Sequence, residues 1–103
     1  VFQPTTKQQL TDAVRYWILS EENATACYGH IATWDTKSIS DMSDVFSETS
    51  LFNEPIGTWN TAGVTNMNGM FRGASAFNQA VGEWNTACVT SMHDMFFNAG
   101  AFN

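Results

Sequence analysis

A chain of 103 residues with 44% hydrophobic and 14% aromatic content suits one folded domain and argues against disorder. Ten acidic against four basic side chains give a formal net charge of −6, so neither nucleic acid nor an anionic lipid surface is an expected partner. No stretch approaches the roughly 18 apolar residues of a membrane helix, and Tyr16-Trp17-Ile18-Leu19 is the longest relevant apolar run.

At the N-terminus, Thr5 or Thr6 precedes Gln8 or Gln9 at capping-box spacing. Leu10, Val14, Trp17 and Ile18 then form one apolar stripe at helical intervals. Together they predict an amphipathic helix over residues 6–20, placed as a cap over whatever follows, with residues 1–30 as a helical cap and joint. Glu21 to Thr25 reads as a polar loop. It holds Asn23-Ala24-Thr25, an N-x-[ST] acceptor, so Asn23 is a candidate N-glycosylation site. Two cysteines cannot define a disulfide framework, and Cys27 and Cys88 are expected as free, partly buried thiols.

From residue 31 onward the chain repeats with a spacing of 25, set by Trp34, Trp59 and Trp84. Other columns keep the same step: Met42, Met67 and Met92; Phe46, Phe71 and Phe96; Phe52, Phe77 and Phe102; Thr36, Thr61 and Thr86. A fixed period of this length means stacked units, because about 25 residues of backbone ordering cost more than one unit's burial returns. The units are 31–55, 56–80 and 81–103. Ile56, Trp59, Thr61 and Val64 follow leucine-rich-repeat spacing, which puts a short strand near Thr58–Ala62. Val64, Met67, Met70, Phe71 and Ala74 continue as a helical stripe, with Thr65 as its cap and Gly73 as its stop. The expected fold is an α/β solenoid: a leucine-rich-repeat-like right-handed coil with one short parallel strand and one short helix per repeat, behind an N-terminal helical cap. A third repeat that stops at Asn103, a missing initiator Met and no signal-peptide core lead us to expect a processed or C-terminally truncated chain.

Little here suggests chemistry. His30 and His93 lie in no metalloprotease spacing, and neither a nucleophile elbow nor a phosphate loop occurs. Asp35, Asp41 and Asp44 invite a Ca²⁺ site, but their counterparts are Asn60, Asn66 and Gly69, so a solvated acidic face is the better reading. The methionine and tryptophan columns read as core. The threonine column reads as inward, with hydroxyls bonded to neighbouring backbone, rather than as an ice-binding row. No catalytic residue, metal or cofactor is expected.

The runs Ile56-Gly57-Thr58-Trp59-Asn60-Thr61, Val64-Thr65-Asn66-Met67, Gly69-Met70-Phe71 and Phe77-Asn78-Gln79 resemble the BspA-like leucine-rich-repeat family of surface proteins. Val45 for Met, Ser40 for Thr and Ala80-Val81 for Pro-Ile are mild departures. The resemblance implies a secreted or cell-surface protein associated with adhesion and protein interaction. The expected function is therefore a non-enzymatic module presenting Thr33, Asp35, Thr58, Asn60, Glu83 and Asn85 to a protein or carbohydrate partner. The alternative is a structural subunit of an extracellular assembly, with the open C-terminal coil as its assembly or partner-capped surface.

Overall fold

The computed structural model describes residues 1–103 and begins with the helix that the capping pattern requires. Helix α1 spans Lys7–Leu19. The Thr6 side chain accepts from the Gln9 N–H at 3.1 Å, and the Gln9 Oε1 in turn accepts from the Thr5 N–H at 2.8 Å. The first bond satisfies one of the helix's unpaired amino-terminal donors, and the second ties the residue before the cap to the first turn. Leu10, Ala13, Val14 and Trp17 form its buried face. Glu21 to Thr25, expected as loop, instead open a second helix, α2, over Glu21–Tyr28. Glu21 and Glu22 in its first turn favour the positive end of the helix dipole, the buried Ala24 docks it, and Gly29 ends it at φ 78°.

The units 31–55, 56–80 and 81–103 (coils one, two and three) stack in 25-residue register, but the α/β solenoid with parallel strands is overturned. The chain has two α-helices, no β-strand and no sheet. Of its 51 backbone hydrogen bonds, 37 lie outside those helices, so turns rather than regular elements carry the structure.

Both corrections have a physical cause. A one-turn 3-10 helix, Ile31–Thr33 in coil one and Ile56–Thr58 in coil two, takes up the lead-in to the expected strand and its first residue, Thr58, and the rest of Thr58–Ala62 runs as bend and turn. The Trp34 and Trp59 N–H groups then bond within their own coil, to Ile31 and Ile56. Side chains make the cross-coil bonds instead. The Trp59 and Trp84 indoles donate to the Ile31 and Ile56 carbonyls at 2.8 and 3.0 Å. The buried Thr36 and Thr61 hydroxyls donate to the Asn60 and Asn85 carbonyls. Parallel pairing is confined to single bridges, Asp41 with Asn66 and Asn66 with Ser91.

The segment expected as helix cannot propagate, because a left-handed residue recurs within it. Gly69 and Gly73 have φ 61° and 72°, Asp44 and Glu48 have 59° and 62°, and Asp94 and Asn98 have 55° and 61°. Each interrupts the run of negative φ that an α-helix needs. The result is a chain of turns with an alternating bonding rule. In coil one the N–H groups of Met42, Asp44, Phe46 and Glu48 donate across to the carbonyls of Asn66, Asn68, Met70 and Arg72 at 2.7–3.0 Å. The N–H groups of Val45, Ser47 and Thr49 donate back to residues three positions earlier at 3.1–3.4 Å. Coil two repeats the pattern onto Ser91, His93, Met95 and Phe97. In coil three the N–H groups of Met92, Asp94, Phe96 and Asn98 have no protein acceptor, and Met92 and Phe97 are 45% and 55% exposed.

Inside, the aromatic columns form ladders. Phe46, Phe71 and Phe96 stack at 5.5 and 5.4 Å with planes within 6°. Phe52, Phe77 and Phe102 stack at 6.0 Å, alongside. Trp34, Trp59 and Trp84 are buried, and one apolar cluster runs from Leu10 of α1 to Met95 of coil three.

Candidate interaction face

The candidate residues sit on the turns behind which the indoles are buried, not on a strand. Thr33, Thr58 and Glu83 occupy one column and Asp35, Asn60 and Asn85 the next. All are exposed except Asp35, which is partly buried. Each column has its own chemistry. The Thr33 hydroxyl donates to the His30 carbonyl at 2.6 Å, and the Thr58 hydroxyl donates across to Ala32 at 3.0 Å. In the second column one turn recurs three times. The side-chain oxygens of Asp35, Asn60 and Asn85 accept the N–H groups of Lys37, Ala62 and Ala87 at 2.9–3.0 Å. A short polar side chain closing a turn two residues on locks its own orientation. In Asn60 and Asn85 the oxygen is thus pinned, leaving the amide N–H groups for an outside acceptor.

The other candidates do not converge. His30 Nδ1 accepts from the Ala32 N–H, and its Nε2 lies 3.6 Å from Glu54. His93 lies on coil three, 3.4 Å from Asp94. The three aspartates of coil one are engaged separately: Asp35 with Lys37 at 3.8 Å, Asp44 with Arg72 at 3.7 Å, and Asp41 with Lys7 at 3.6 Å. For Asp41, burial raises the pKa, but the Ser43 backbone and side-chain hydrogen bonds and the Lys7 charge outweigh it. The carboxyl titrates below the ordinary aspartate value. Asn23 is exposed on α2 rather than in a loop. Cys27 and Cys88 are free and exposed, not partly buried.

One feature lies outside the predicted columns. Between α1 and coil one runs a groove of about 560 Å³, edged by Leu19 and Leu51. Its sequence signal was Leu51, which stands in a column otherwise filled by Ala76 and Ala101.

No helix is long and apolar enough to cross a membrane. Comparison with the curated proteins and with the solved structures gives no match. Residues 18–103 match the family described as "Mycoplasma protein of unknown function, DUF285", a repeat family related to the BspA-like proteins but not specific to them. Because that match runs from the last turn of α1 through all three coils, the chain belongs to the DUF285 family.

Proposed function

We propose that the protein is a non-enzymatic interaction module of the BspA-like kind, acting outside the cell or at its surface. It presents Thr33, Asp35, Thr58, Asn60, Glu83 and Asn85 to a protein or carbohydrate partner, and the exposed Asn23 is open to glycosylation. The observation that carries this reading is the threefold locked turn at Asp35, Asn60 and Asn85, which sets short polar side chains in one column at 25-residue spacing. Groups held rigid before binding lose little entropy when a partner arrives.

The test screens the purified chain against immobilised glycans and extracellular proteins, beside a variant carrying Thr33→Lys, Thr58→Lys and Glu83→Lys. Binding lost in the variant at an unchanged melting temperature supports the module. A ligand that binds wild type and variant alike sinks it, as does a hydrolase activity abolished by His93→Ala.

A second reading, a structural subunit of a larger assembly, is favoured by coil three's edge, where four backbone N–H groups lie beside exposed Met92 and Phe97. Concentration-dependent association in sedimentation, abolished by Phe97→Glu, would support it. A monomer at all concentrations would count against it.

A further inference from the structure

We propose that the groove between α1 and coil one binds an extended peptide segment carrying apolar and basic side chains. This is a second surface, separate from the turn columns and independent of the function proposed for them.

Three observations specify the occupant. The first is apolar exposure. Six large hydrophobic residues are exposed, and three of them, Ile18 (45%), Leu19 (84%) and Leu51 (91%), line this one groove. Its volume of about 560 Å³ lies in the usual range for ligand clefts.

The second is charge. Glu21, Asp44, Glu48 and Glu54 line the groove against Arg15 alone, a formal balance of −3. Asp44 and Glu54 already face Arg72 and His30, whereas Glu21 and Glu48 make no ion pair. A peptide bearing lysine or arginine completes them, and an acidic one is repelled.

The third is the backbone. In coils two and three every second carbonyl accepts an N–H from the preceding coil. The equivalent carbonyls of coil one, including those of Val45 and Ser47 in the groove lining, accept none. An extended chain offers N–H groups on one side at every second residue, the spacing this edge uses. The occupant therefore lies along coil one, donates to Val45 and Ser47, and sets its apolar side chains against Leu19 and Leu51.

The test is a titration of the ¹⁵N-labelled full chain with a capped hexapeptide of alternating valine and lysine. Controls are the valine–glutamate analogue and a version N-methylated on the donating side. The expected result is chemical-shift change confined to Ile18–Glu21 and Val45–Leu51. Glu48→Gln weakens binding about two- to fivefold. Leu51→Ala, a change at a side chain outside the core, weakens it about tenfold while leaving the melting temperature unchanged. The two controls fail to bind. Equal binding by the N-methylated or the glutamate peptide, shifts scattered outside the groove, or no shift at millimolar peptide overturns the proposal. Shifts confined to the Asp35, Asn60 and Asn85 turns also overturn it, while leaving the function proposed above intact.

Discussion

Phe71→Ala removes the middle ring of the Phe46–Phe71–Phe96 ladder. Phe71 is fully buried, with Phe77 at 4.2 Å, Phe96 at 5.4 Å and Phe46 at 5.5 Å, all within 13° of parallel. Truncating a buried phenylalanine costs about 3–5 kcal/mol, and four ring partners, Trp84 at 6.0 Å being the fourth, put this site at the upper end, about 4–5 kcal/mol. Phe96 holds the same column position on coil three, yet it is only partly buried and stacks on two rings, Phe71 and Phe102. Its truncation is expected to cost about 2 kcal/mol, because less area and fewer partners are lost. Domains of this size are stable by about 5–15 kcal/mol, so the first variant loses a large fraction and melts on the order of 20 °C lower. Urea titrations followed by tryptophan fluorescence, compared at matched m-values, measure both. Costs equal within about 1 kcal/mol would refute the argument that stacking between coils carries the stability.

Three further outcomes follow from the turns and their bonds. Glu48 holds φ 62°, so Glu48→Gly relieves a left-handed backbone and raises stability by up to about 1 kcal/mol after glycine's own entropy cost, whereas Ser47→Gly next to it lowers stability. A lower denaturation midpoint for Glu48→Gly would contradict the strain assignment. Thr61→Val keeps the shape but removes the hydroxyl that bonds the Asn85 carbonyl at 3.1 Å. It should cost about 1–2 kcal/mol by chemical denaturation, and a neutral result would deny this cross-coil bond its role. The folded Asp41 pKa lies below its unfolded value, so its contribution is present above about pH 4 and is lost as pH falls through the folded value. Asp41→Asn should therefore flatten the acid limb of midpoint against pH below about pH 4, and an unchanged limb would show that other carboxyls set it.

The period, the inward tryptophans and the cap helix were legible because each is a one-dimensional spacing. The secondary structure of the coils was not. Val64, Met67, Met70, Phe71 and Ala74 fit a helical stripe, but successive three-residue turns bury the same positions. What separates the two is a left-handed residue every fourth position, and only Gly69 and Gly73 advertise it. Asp44, Glu48, Asp94 and Asn98 adopt that conformation with a Cβ, which composition does not announce. The strand failed for a related reason. Indole and threonine donors replaced backbone donors between coils, a substitution visible only once the 3-10 turns are known. α2 escaped because its polar sequence carries a single buried anchor, Ala24. The groove arises where α1 lies against coil one, and no local pattern encodes that.

The four alternating bonds at each joint run one way, from amides of one coil to carbonyls of the next, and outnumber the bonds that Thr65, Thr90 and Ala101 return to Ser40, Thr65 and Ser75. The stack is therefore polar along its axis, like a helix dipole laid sideways, with an acceptor edge at one end and a donor edge at the other. Two donor edges brought face to face would oppose N–H to N–H along these turns, which disfavours pairing of like ends. Whatever adjoins either edge, a further coil or another copy, satisfies it by bringing the complementary groups and keeping the same direction, so head-to-tail joining closes a ring or runs on as a filament according to its rotation.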